Sequence, residues 1–90
     1  MTRVVYEPSI PAMRFAGHAG AGRAGSDPVC AALSMLMYTL LENLPDCERE
    51  MAEGFCAVSG GDKRVYEVIA RGLRRLAADC PEYVGWEVRT

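Results

Sequence analysis

Asp27-Pro28 fixes where the first helix of this chain begins. An aspartate carboxylate caps a helix start, and proline suits the first helical position because the N–H it lacks would have no partner there. From that point to Leu44 the chain is apolar on nearly every side of a helix. Leu33, Met37, Leu41 and Leu44 form one stripe, and Met35, Leu36 and Leu40 extend the apolar surface around it. A helix of that kind is buried all round. In a chain of 90 residues this takes a sheet on one side and a second subunit on another, so residues 1–90 are expected to form a single domain and to pair as a homodimer, with Met35, Leu36 or Leu40 in the interface.

The segments around the helix read as strands and one further helix. "TRVVYE" alternates and is rich in β-branched residues, as a strand is. After Pro8 and Pro11, "AMRFAGH" resumes with Met13 and Phe15 on one face and His18 at the strand end on the other. "PDCEREM" reads as a polar turn and "GFCAVS" as a strand closed by Gly60-Gly61. A second helix is predicted from about residue 62 to residue 79, with Val65, Ile69, Leu73 and Leu76 inward and a solvated basic side. Pro81 stops it, and "YVGWEV" closes the chain as a strand. The expected architecture is α+β: two helices packed on a small, mainly antiparallel sheet, in the order β-β-α-β-α-β.

Composition narrows the function. Half the residues are apolar and 24% are charged, which is a globular balance. A net charge of −2 gives no reason to expect direct contact with nucleic acid or an anionic membrane. "AALSMLMYTLL" is too short to span a bilayer. The opening "MTRVVYEPS" has no charged-then-apolar run, so the protein is expected in the cytoplasm, where its 4 cysteines stay free thiols.

"GAGRAG", residues 20–25, spells GxGxxG. A dinucleotide turn needs those glycines where a strand runs directly into a helix, and an acid ending the next strand. Here the helix starts after the glycines are past, and the residue at about the right distance, Glu42, lies deep in that helix. No Lys-Ser or Lys-Thr follows Gly25, so a phosphate-binding P-loop is excluded as well. Residues 19–26 are small and offer nothing to anchor them, so they are expected to be the most mobile internal segment.

The residues flanking the loop carry more chemistry. Cys30 is the third residue of the first helix, where unpaired N–H groups and the helix dipole favour a thiolate. Those N–H groups are also expected to hold the oxyanion formed when the sulfur attacks a carbonyl. The one histidine of the chain, His18, can serve as the base if the loop folds strand end against helix start. Ser34, one turn after Cys30, shares its face. A small buried cysteine and a surface histidine remain the bland alternative. Zinc and disulfide-redox roles lack the paired CxxC or HxxxH spacing, so no metal is expected.

"GHAGAGRAGSDPVCAALS" resembles the signature of the ribosomal-processing cysteine proteases, the Prp family, and "GLRRLAADCPEYV" is similar to that family's second block. The resemblance implies a homodimeric α+β cysteine endopeptidase, without cofactor, that removes an N-terminal extension from a large-subunit ribosomal protein, the one numbered twenty-seven. It implies Cys30 as nucleophile, His18 as base, and Gly17, Asp27 and Ser34 as supporting residues, with Gly20, Gly22, Arg23 and Gly25 in the substrate loop. The sequence departs from the family in having only Ala21, Gly22, Arg23 and Ala24 where an aromatic and an acidic residue are common. Pro28 stands where an aliphatic residue is usual, and the segment between the helices is shorter than usual, which suggests that a hairpin found there in the family is trimmed away. The rival readings are a dimeric protein that binds a ribosomal partner or peptide without cleaving it, and a thiol-based redox sensor.

Overall fold

The structure is a computed structural model that describes residues 1–23 and 25–90; Ala24, part of the loop singled out above, lies outside the described residues. The chain runs β1 (Thr2–Glu7), β2 (Ala12–Ala16), α1 (Pro28–Glu42), β3 (Glu48–Ala52), β4 (Phe55–Ser59), α2 (Lys63–Asp79) and β5 (Val84–Val88). The strands form one sheet in the order β3-β4-β2-β1-β5. β1 pairs with β5 in parallel, and every other neighbouring pair is antiparallel. Two helices on a mainly antiparallel sheet is the architecture expected from the sequence.

One strand was not expected. The polar segment after Cys47 pairs with β4 as β3, so the helices are separated by a hairpin. β3 is an edge strand with all five residues exposed. Its ladder is made by backbone alone, so it needs none of the apolar alternation that marks a half-buried strand. Arg49 ties it down, donating from Nη2 to the carbonyls of Leu41 and Leu44 at 3.2 and 3.1 Å and to Cys47 Sγ at 3.4 Å. The guanidinium thereby braces the end of α1 and the turn after it, where the Leu41 and Leu44 carbonyls also receive the N–H groups of Leu44 and Cys47 at 3.2 and 3.3 Å.

Both helices lie over the same side of the sheet. Val4 and Tyr6 of β1, Met13 and Phe15 of β2, and Cys56 and Val58 of β4 belong to one core with Leu33, Leu40 and Leu41 of α1 and Ile69 and Leu73 of α2. The pairing registers place Val4, Phe15 and Cys56 in one row and Tyr6, Met13 and Val58 in the next, as alternate residues on one face must lie.

The apolar surface of α1 is divided differently from expectation. Leu40 is fully buried within its own chain, and Leu36 packs on α2 opposite Gly72, where an added Cβ would come within 2.9 Å of Leu36 Cδ2. Leu40 is not free for a partner and Leu36 is only partly so, because α2 covers the flank that the sheet does not. Met35 and Tyr38 are left outside, 67% and 53% exposed. All four cysteines are free thiols.

Candidate active site

His18 follows β2 by two residues, and the backbone leading to it is clamped from both sides. Gly17 donates its N–H to the carbonyl of Gly54 at 2.8 Å, and its own carbonyl accepts from the Thr2 hydroxyl at 3.2 Å. Gly17 has φ +93°, and a Cβ there would lie 2.5 Å from the Met1 carbonyl oxygen, so only glycine fits. Ala19 is 2% exposed. The chain on either side of His18 is therefore held, while the imidazole itself stands exposed.

Cys30 occupies the first turn of α1, as the Asp27-Pro28 pair requires. Asp27 accepts the N–H groups of Val29 and Cys30 on Oδ1, both at 3.0 Å, and that of Ala21 on Oδ2 at 2.9 Å. Its backbone carbonyl takes the N–H of Ala31 at 3.0 Å. Hydrogen bonds to the carboxylate, that from Cys30 foremost, hold the Asp27 carboxyl below its ordinary pKa.

These bonds correct two expectations. The first turn has no spare donors: Pro28 has no N–H, and those of Val29, Cys30 and Ala31 are all bound by Asp27. The oxyanion of a reacting carbonyl must find its donors elsewhere. Nor is the glycine loop without an anchor, because Ala21 is tied to Asp27 and Ala19 is buried. A single carboxylate caps the helix with one oxygen and holds the loop with the other.

Two of the loop glycines stand open. Gly20 and Gly25 have positive φ, and nothing lies within 4 Å of where their Cβ atoms would be. Gly22 sits closer, its Cβ position 3.2 Å from the Ser26 carbonyl oxygen, beside a turn in which Ser26 N–H donates to Arg23 at 2.9 Å. The Arg23 side chain is exposed.

Two hollows meet at His18, Cys30 and Ser34, which border both. One, of about 230 Å³, is apolar, walled by Phe15, Leu33, Met37, Met51 and Phe55 with the Thr2 hydroxyl group's residue at its edge. The other, of about 420 Å³, is walled by Gly20, Gly22, Gly25, Asp27 and Ala31. Together they make an open cleft, with the Cys30 and His18 side chains on the border its two halves share. Among the described residues no group of three or more His, Cys, Asp or Glu is arranged to hold a metal ion. No helix there is long and apolar enough to cross a membrane.

Sequence reasoning missed Thr2 and Gly54. Both reach the site from parts of the chain distant from the motif, and Gly54 lies in a turn beside a strand that carries no hydrophobic signal.

The model of one protein family, cysteine protease Prp, matches residues 1–85 of the chain. The fold is similar to that of the ribosomal processing protease Prp from S. aureus, solved with a covalently linked product peptide. That likeness has a TM-score of 0.90 at 15% identity, covering 99% of this chain and 100% of the other. It is also similar to SMU.848 from Streptococcus mutans, with a TM-score of 0.70 at 26% identity, covering 99% of this chain and 92% of that one. No curated protein matches the chain.

Proposed function

Because this chain belongs to the cysteine protease Prp family and is a cysteine protease, we propose that it is a ribosomal-processing endopeptidase working through His18 and Cys30. Its substrate in this reading is the N-terminal extension of a large-subunit ribosomal protein, met in the cytoplasm. The observation that carries the proposal is the shared border: His18, Cys30 and Ser34 each line both halves of the cleft. A peptide lying through both hollows passes over them.

In the first step His18 takes the thiol proton and Cys30 Sγ attacks the scissile carbonyl carbon. The tetrahedral intermediate collapses as the imidazolium returns its proton to the leaving amine, and a thioester remains on Cys30. Water, activated by the neutral imidazole, then attacks the thioester and releases the acid. Since Asp27 occupies the donors of the first turn, the loop backbone at Gly20, beside the glycine-walled hollow, is the better source of oxyanion donors. The apolar hollow takes a non-polar side chain of the substrate.

The protein acts as a homodimer in this reading. Met35 and Tyr38 are the exposed apolar residues of α1, and Tyr38 also borders the apolar hollow, so a second copy packed there adjoins the substrate cleft. Incubation with a peptide spanning the ribosomal protein's N-terminus tests the function. Cleavage at a single bond by the native chain is expected, and an intact peptide rejects the substrate assignment.

A further inference from the structure

The hairpin turn between β3 and β4 reaches the same imidazole. Gly54 has φ +68°, and its carbonyl receives the Gly17 N–H at 2.8 Å, one step beyond the last paired residues of β2 and β4, Ala16 and Phe55. The turn and the backbone before His18 therefore move as one piece.

The contact that matters is the one glycine allows. A Cβ built on Gly54 would lie 3.0 Å from His18 Nε2 and 3.5 Å from both Cδ2 and Cε1. The two flanking carbons lie equally far and only slightly farther than Nε2, so the face of the ring at its Nε2 end packs against the space the missing side chain leaves. Ordinary van der Waals contact for a Cβ begins at about 3.4 Å. Any L side chain at this position pushes the imidazole aside by several tenths of an ångström.

We infer that Gly54 is a positioning residue for His18, its side-chain-free turn forming the seat that orients the imidazole for work on Cys30. This rests on the proposed Cys–His chemistry. It adds a residue of the β3–β4 hairpin, outside both sequence motifs, to the machinery of the site. A small misplacement of a catalytic group is expensive: about 1 Å costs on the order of a hundredfold in rate. Gly54→Ala is therefore expected to lower kcat by roughly threefold to tenfold while KM stays within about twofold.

The test pairs kinetics with the imidazole's own signal, which is unambiguous because the chain has 1 histidine. Gly60→Ala is the control for backbone strain: Gly60 has φ +83°, nothing within 4 Å of its Cβ position, and no place at the cleft. Gly54→Asn is the second variant, since asparagine tolerates the left-handed backbone where alanine strains it. Both Gly54 variants are expected to move the imidazole resonances and lower kcat, with Gly60→Ala changing neither. An unmoved resonance in the Gly54 variants overturns the positioning role and leaves the Cys–His reading standing. A moved resonance with kcat at the native level overturns His18 as the base, and the positioning role with it.

Discussion

The carboxylate of Asp27 accepts the backbone N–H of Cys30 at 3.0 Å, so the residue that starts the helix also fixes the backbone of the proposed nucleophile. Its second oxygen holds Ala21 of the glycine loop. Removing that carboxylate should loosen both sides of the cleft together. In Asp27→Ala, the amides of Ala21, Val29 and Cys30 are expected to lose hydrogen-exchange protection, with peptide cleavage falling in parallel. Loss of protection at the helix start alone would show that the loop is held by something else.

The same bonds make stability depend on pH. The Asp27 carboxyl is held below its ordinary pKa in the folded chain. Its contribution is therefore complete above the unfolded value of about 3.9 and is lost as pH falls through the lower folded value. Asp27→Asn has no such titration. The difference in Tm between the native chain and Asp27→Asn is expected to be constant above about pH 5 and to shrink below about pH 4. Asp62 is also held low by Arg64, but it is present in both proteins and cancels.

Thr2 is a buried polar residue, and its hydroxyl supports the carbonyl just before His18. A neutral hydrogen bond is worth about 1 kcal/mol, which is about fivefold in rate if it is felt in the transition state. Thr2→Val is expected to reduce kcat/KM by about that factor, and Thr2→Ser to restore it. Equal activity in the valine and serine variants would remove the hydroxyl from the account.

The exposed pair on α1 sets the expected oligomer. Sedimentation at micromolar concentration should give twice the chain mass, and Met35→Glu should shift the protein toward monomer by placing a charge in the apolar contact. A native chain sedimenting as a monomer contradicts the interface.

The parts of this molecule with local signals were legible in its sequence. The Asp27 cap, the Pro28 start and the amphipathic α2 each depend on residues within a turn or two, and the structure has them where the spacing put them. β3 was not legible, because a fully exposed edge strand has no hydrophobic period to read. The hold on His18 was not legible either, since Thr2 and Gly54 reach it through sheet pairing rather than through neighbouring sequence. The first turn of α1 was half legible: the cap was evident, but a cap that works also consumes the donors that had been assigned to the oxyanion.

The thiols differ in ways that labelling can read. Cys56 is 1% exposed and burial pushes its thiol pKa up, so it should react last with iodoacetamide at neutral pH. Cys30 borders both open hollows and should be among the first. Labelling of Cys56 before Cys30 would mean that the cleft is closed in solution.

The most direct test of the central claim is mass spectrometry of the ribosomal N-terminal peptide after incubation with the native protein, Cys30→Ala and His18→Ala, each first shown to be folded. Cleavage at one bond by the native chain, with the peptide left intact by both variants, is the predicted result. A peptide cut at the same bond by Cys30→Ala would contradict it.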